Sequence, residues 1–151
     1  MAYSAMDVAK YTISYYCEQG SPISNLKLQK ILYFSWIEYY KQKKQHLFED
    51  SFCAWKFGPV VPDVYYEYCI YAGMPIPDYP YDKNPKTLLS GADQNILNPI
   101  LHRYIGATAH DLVDKTHEEG KPWSVIYQNG EGNRSVIPFP LIINKECEGK
   151  V

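Results

Sequence analysis

Apolar residues recur at helical spacing almost from the start of the chain. Met6, Ala9, Ile13, Tyr16 and Cys17 follow a Ser4/Asp7 start, and Gly20 stops the run, predicting a helix over about 5–19. Ser21 to Asn25 supplies turn and N-cap residues, and a stretch free of Gly and Pro then runs from Leu26 to about Gln45. At about 100° per residue, Leu28, Ile31, Leu32, Ser35 and Tyr39 share one sector of this second helix. Leu26, Tyr33, Ile37 and Tyr40 share another, with Trp36 between them. A surface helix needs one apolar stripe, whereas this one is apolar around most of its circumference. The pattern therefore predicts a central helix, about 26–45, at the heart of a helical bundle. Its remaining wedge carries Lys27, Lys30, Glu38 and Lys41, with Phe34 in the middle.

The pattern changes period after Phe48. Phe52 to Phe57 reads as a strand, and Gly58-Pro59 reads as a turn into Val60-Val61, giving a small β-hairpin element. Pro62 suits the first turn of a third helix, about 62–72, which Gly73 ends. Pro75, Pro77, Pro80 and Pro85 make the stretch from Met74 to Pro85 a loop. Asp93 is a candidate cap for a helix reaching Tyr104, with Pro99 predicting either a kink or a start near Asn98. Thr108 and Asp111 open a further helix that Gly120 closes, and Trp123 to Tyr127 adds a helical turn. Ser135 to Ile137 is a candidate strand, and Pro140 to Ile143 a candidate last short helix. The expected architecture is a mainly α, single-domain chain over residues 1–151.

Composition fits this picture. With 46% hydrophobic and 21% charged residues in 151, the chain is globular rather than disordered. A formal charge of −2 and a single basic cluster at Lys41 to Lys44 leave no footprint for nucleic acid. No stretch approaches the length of a bilayer span, and Met1 to Ser4 lacks the features of a secretory leader, so neither membrane nor export is expected and the location reads as cytoplasmic. Fifteen tyrosines stand out, each an amphipathic ring suited to a core wall or to an interface anchor.

Candidate chemistry is sparse. Cys17, Cys53, Cys69 and Cys147 form no C-x-x-C pair and sit in apolar patterns, where a thiol is core filler rather than a nucleophile. His110 and His117 are two helical turns apart with Asp114 between them, but no third ligand stands nearby, so no metal is expected. Glu118 and Glu119 point about 100° apart and do not face a common substrate. Gly58-Pro59 lacks the donors and the Lys-Ser/Thr ending of a phosphate loop. No catalytic residue and no cofactor are expected. Trp55 and Trp123 sit in dense apolar strings and read as structural.

Several strings occur in order: Asp7-Val8-Ala9; Asn25 to Phe34, reading NLKLQKILYF; Ala54 to Tyr65, reading AWKFGPVVPDVY; and Thr116 to Trp123, reading THEEGKPW. Together they resemble the SocA-like Panacea domain over about residues 7–143. The resemblance implies a mainly helical antitoxin that holds a toxin inactive by direct contact, and a founding member serves as an adaptor delivering its toxin to a protease. Relatives often carry a preceding DNA-binding segment. This chain begins at the domain, which weakens an autoregulatory role. The expected partner is therefore a protein: a cognate toxin or a host factor, with a protease complex in the adaptor mode. A phage accessory protein binding a host or defence factor and an enzyme of unknown reaction stay open as alternatives. The expected partner-binding surface is the helix wedge of Lys27, Lys30, Phe34 and Glu38 together with the turn of Gly58, Pro59, Val60 and Val61, because an aromatic amid charges on the helix's one polar side suits a hot spot in a polar rim.

Overall fold

The computed structural model describes residues 2–78 and 84–148. Helix α1 spans Ala5–Glu18, with Ser4 as N-cap accepting from the Asp7 N–H. Helix α2 spans Asn25–Lys43 behind the N-cap Ser24 and ends on Lys44 in the left-handed region. A hairpin follows, β1 at Phe52–Trp55 and β2 at Gly58–Val60, then α3 at Pro62–Tyr68 and a 3₁₀ turn over Cys69–Tyr71. Helix α4 covers Gly91–Arg103, α5 Ala109–Thr116 and α6 Pro122–Tyr127. Strand β3 is Val136–Ile137, and α7, Phe139–Ile142, runs into a π-helical turn over Ile143–Cys147. The chain is mainly α with a small antiparallel sheet of order β2-β1-β3. Residues 79–83, inside the expected proline-rich loop, lie outside the described residues.

Helix α2 is central, as its pattern predicts. It packs against α1, α3, α4, α5, β2 and the π turn. Leu28, Ile31, Leu32 and Trp36 are fully buried. Trp36 shows how the core is built: its ring stacks between Tyr40 and Phe139, and its indole N–H donates to the Phe48 carbonyl at 3.0 Å. Burying such a ring contributes roughly 4–6 kcal/mol by area, provided its polar edge is satisfied, as here.

Three local expectations are corrected. The hairpin reverses at Lys56-Phe57, not at Gly58-Pro59, because Trp55 pairs with Gly58 and closes a two-residue loop. Gly58 takes φ +113° there, which a side chain rarely tolerates. Helix α4 starts at Gly91 behind the N-cap Ser90, and it carries Pro99 in its interior. Asp93 is released from capping and instead accepts from Tyr39 Oη at 3.1 Å and Tyr3 Oη at 2.5 Å, tying α4 to α2 and to the N-terminal segment. The third helix is shorter than expected, since its last turn tightens to 3₁₀.

Candidate functional site

The three longest sequence strings converge on one junction. From α2, Lys30 is 0% exposed and its Nζ donates to the Pro59 carbonyl at 2.8 Å. Gln29, one residue before, accepts from the Val61 N–H at 2.9 Å and donates to Asn25 Oδ1, while Asn25 donates to the Tyr65 carbonyl. This polar row on the helix clamps β2 and α3 in register. From the other side, Thr116 at the end of α5 presses on Gly58: a Cβ there would lie 2.8 Å from both Lys30 Cε and Thr116 Oγ1. His117 stacks on Trp123 at 3.7 Å, Tyr127 stacks on Trp123 in turn, and the Trp123 N–H donates to the Trp55 carbonyl at 2.7 Å.

Burial sets the electrostatics of the junction. Desolvation pulls the Lys30 ammonium down to about 7. His117 is also lowered, first by desolvation and then by the Lys30 charge, and its Nε2 is buried without a hydrogen-bond partner among the described residues. Desolvation raises Cys17, Cys53 and Cys147, which disfavours the thiolate each would need as a nucleophile. His110 pairs with Asp114 on an exposed face, and no group of three metal-ligating side chains occurs among the described residues.

The expected partner wedge is covered. Lys27 is buried, and its Nζ reaches the Ile105 and Ala107 carbonyls at 3.2 and 2.5 Å, satisfying acceptors left just beyond the end of α4. Phe34 is 7% exposed, stacked on Tyr104 and met edge-on by Tyr33, with Lys115 Nζ 5.2 Å from its ring. Gly58, Pro59, Val60 and Val61 are buried too. Glu38 alone of the eight is partly exposed, paired with Lys41 at 3.2 Å. The expectation that this wedge faces solvent is thus corrected: α5 and the segment leading into it roof the polar side of α2. Lysine stems and one aromatic ring suit such a lid as well as they suit water.

A surface pocket of about 310 Å³ opens on the outer side of the hairpin. Trp55, Phe57, Tyr65 and Val60 form its apolar wall, and Lys56 and Arg134 bracket it. Trp55 is half-buried, so it serves this wall as well as the core. The Arg134 guanidinium lies 4.2 Å from the Trp55 ring centre, and its Nη1 donates to Tyr66 Oη at 3.3 Å. Tyr65 packs edge-on against Trp55 with ring centres 5.0 Å apart. Sequence reasoning misses this site because Arg134 lies far along the chain and Phe57 reads as the end of a strand, whereas it stands exposed at the two-residue turn. Val60 is the one residue of the expected surface that reaches it.

No helix among the described residues is long and apolar enough to cross a membrane. The family model described as "Antitoxin SocA-like, Panacea domain" matches residues 28–124. Antitoxin SocA of Caulobacter vibrioides (strain NA1000 / CB15N) is 39% identical over 123 residues, which cover 74% of this chain and 63% of that relative. The chain thus spans less than two thirds of that relative's length. No solved structure matches. The matched region opens within α2 and closes within α6, so it contains Gln29, Lys30, the hairpin, Thr116 and Trp123, and six of the ten residues that line the pocket, but neither Asn25 nor Arg134. A family match over more than half the chain, together with 39% identity to Antitoxin SocA over 74% of it, shows that the protein belongs to the SocA-like Panacea antitoxin domain family.

Proposed function

We propose that this chain is an antitoxin that neutralises a cognate toxin by direct contact and performs no chemistry of its own. The observation that carries this reading is the similarity to Antitoxin SocA across three quarters of the chain. The site chemistry agrees with a binding role. The buried thiols are held in their neutral form, and the buried lysine is occupied in holding the hairpin. The solvent-facing aromatics are concentrated on one rim instead.

The test is co-expression with the product of the adjacent gene, placed under separate induction. Growth arrest by the neighbour alone, relief when this chain is present, and co-purification of the two support the reading. Relief without any complex would overturn direct contact. Delivery to a protease, the adaptor mode, adds a separate expectation: the half-life of the toxin shortens when this chain is co-expressed in cells with intact proteases.

A further inference from the structure

Resting on the antitoxin reading for the partner's class, we infer that the pocket beside the hairpin is where the partner docks, and that it takes a short segment with an aromatic or aliphatic anchor flanked by carboxylates.

The first ground is where apolar surface is left in water. Among the described residues the exposed large hydrophobics are Phe57, Tyr66, Ile70, Met74, Val125 and Val136. Phe57 lines the pocket itself, and Tyr66, Ile70, Met74 and Val136 lie one or two residues along the chain from Tyr65, Ala72 and Arg134, which also line it. Phe57 is 55% exposed and Ile70 is 82% exposed. A large exposed ring on the wall of a concave site, as Phe57 is, points to an interface, whereas scattered single apolar residues do not.

The second ground is the shape of the rim. Ala72, at φ 52° and ψ −126°, and Arg134, at φ 71°, both line the pocket in backbone conformations that side-chain-bearing residues rarely adopt. Such conformations persist only where the surrounding structure dictates them, so the rim is shaped by the fold at both residues.

Charge then selects the occupant. The charged side chains on the pocket wall are Lys56 and Arg134, both cationic, and neither has a carboxylate partner among the described residues. Arg134 is already oriented by the Trp55 ring and Tyr66, so its planar fork is pre-organised for a carboxylate. Trp55, Phe57 and Tyr65, with Leu26, Val60 and Ala72, make most of the remaining wall apolar, which suits an apolar anchor between flanking acids.

The probe is a fluorescein-labelled synthetic peptide with a Trp-Leu anchor between Asp and Glu residues, titrated with this protein by fluorescence polarisation. Two control peptides replace the acids with lysines or the anchor with serines. We expect saturable binding of the acidic peptide, weakened at least tenfold in either control and at least tenfold by Phe57→Ser. The double variant Lys56→Glu with Arg134→Glu should reverse the preference toward the lysine-flanked peptide, which also shows that its pocket is folded. Absence of binding up to millimolar protein, equal binding of all three peptides, or an unchanged preference in the double variant would overturn the inference. So would a wild-type dimer that Phe57→Ser dissociates, because the face would then belong to a second copy of the chain. In the growth assay, wild-type rescue that the double variant retains sinks the docking site and leaves the antitoxin reading standing. Absence of wild-type rescue sinks the antitoxin reading, and the peptide titration alone then judges the pocket.

Discussion

Replacing Lys30 by Met turns the buried amine of the junction into a pH measurement. In the folded protein the amine titrates at about 7 against an ordinary value of 10.5, because burial disfavours its charge. The unfolded chain therefore holds this proton below about pH 10.5, and the folded chain holds it only below about 7. Between those limits the unfolded state binds more protons, so stability rises with pH, by at most about 1.4 kcal/mol per unit. Below pH 7 both states are protonated and the cost is complete. Worked through, it amounts to about 4 kcal/mol at pH 7 and about 2 kcal/mol at pH 9. Met fills similar space and carries no proton, but it gives up the bond to the Pro59 carbonyl, worth about 1–3 kcal/mol. The Met variant should thus be the more stable protein at pH 7, by about 1–3 kcal/mol, and the two should converge near pH 9. The assay is urea unfolding of both proteins at pH 6, 7, 8 and 9, followed by tryptophan fluorescence. Other titrating groups are common to both chains and cancel in the difference, except His117, which the Lys30 charge lowers; the slope is therefore read from pH 7 to 9, above the range in which His117 gains its proton. A difference between the two that stays flat from pH 7 to 9 would refute the reasoning, and so would one of opposite slope.

Phe34→Ala removes a covered ring and should destabilise the fold by about 3–5 kcal/mol in the same urea assay, whereas wild-type stability would return Phe34 to the surface. Gly58→Ala combines a φ of +113° with a Cβ 2.8 Å from Lys30 and Thr116, so a loss of about 2–4 kcal/mol is expected, and a neutral outcome would show that the junction can open. Trp123→Ala takes away the stack on His117 and the bond to the Trp55 carbonyl, with an expected loss of about 3–5 kcal/mol in thermal or urea unfolding; full stability would exclude a structural role for the ring.

Much of the fold is legible in local pattern. Helices α1, α2 and α5 start where Ser4, Ser24 and Thr108 supply cap oxygens, and α5 has the full reciprocal box with Asp111. The central place of α2 follows from its near-continuous apolar circumference. Where local signals competed, proximity in sequence misled. Ser90 outranks Asp93 as the cap of α4 because Asp93 is taken by two tyrosines distant in sequence, and sequence spacing carries no trace of that contact. Pro99 sits within α4, so the helix does not start near Asn98.

The candidate site divides along the same line. Sequence alone determined that Asn25 to Phe34, Ala54 to Tyr65 and Thr116 to Trp123 belong together, and it pointed to their family. It could not determine which side of α2 is covered. Lys27, Lys30 and Phe34 carry identical local signals whether water, a partner or α5 lies over them, since burial depends on segments distant along the chain, 29 residues away for the Pro59 carbonyl over Lys30 and 78 to 80 for the carbonyls that meet Lys27. Only the tertiary structure decided that α5 lies there, that Lys30 ends beneath Pro59, and that Arg134 crosses to Trp55 beside an exposed Phe57. Capping and periodicity are set by neighbours along the chain, whereas exposure and the charge state of a buried amine are set by neighbours in space.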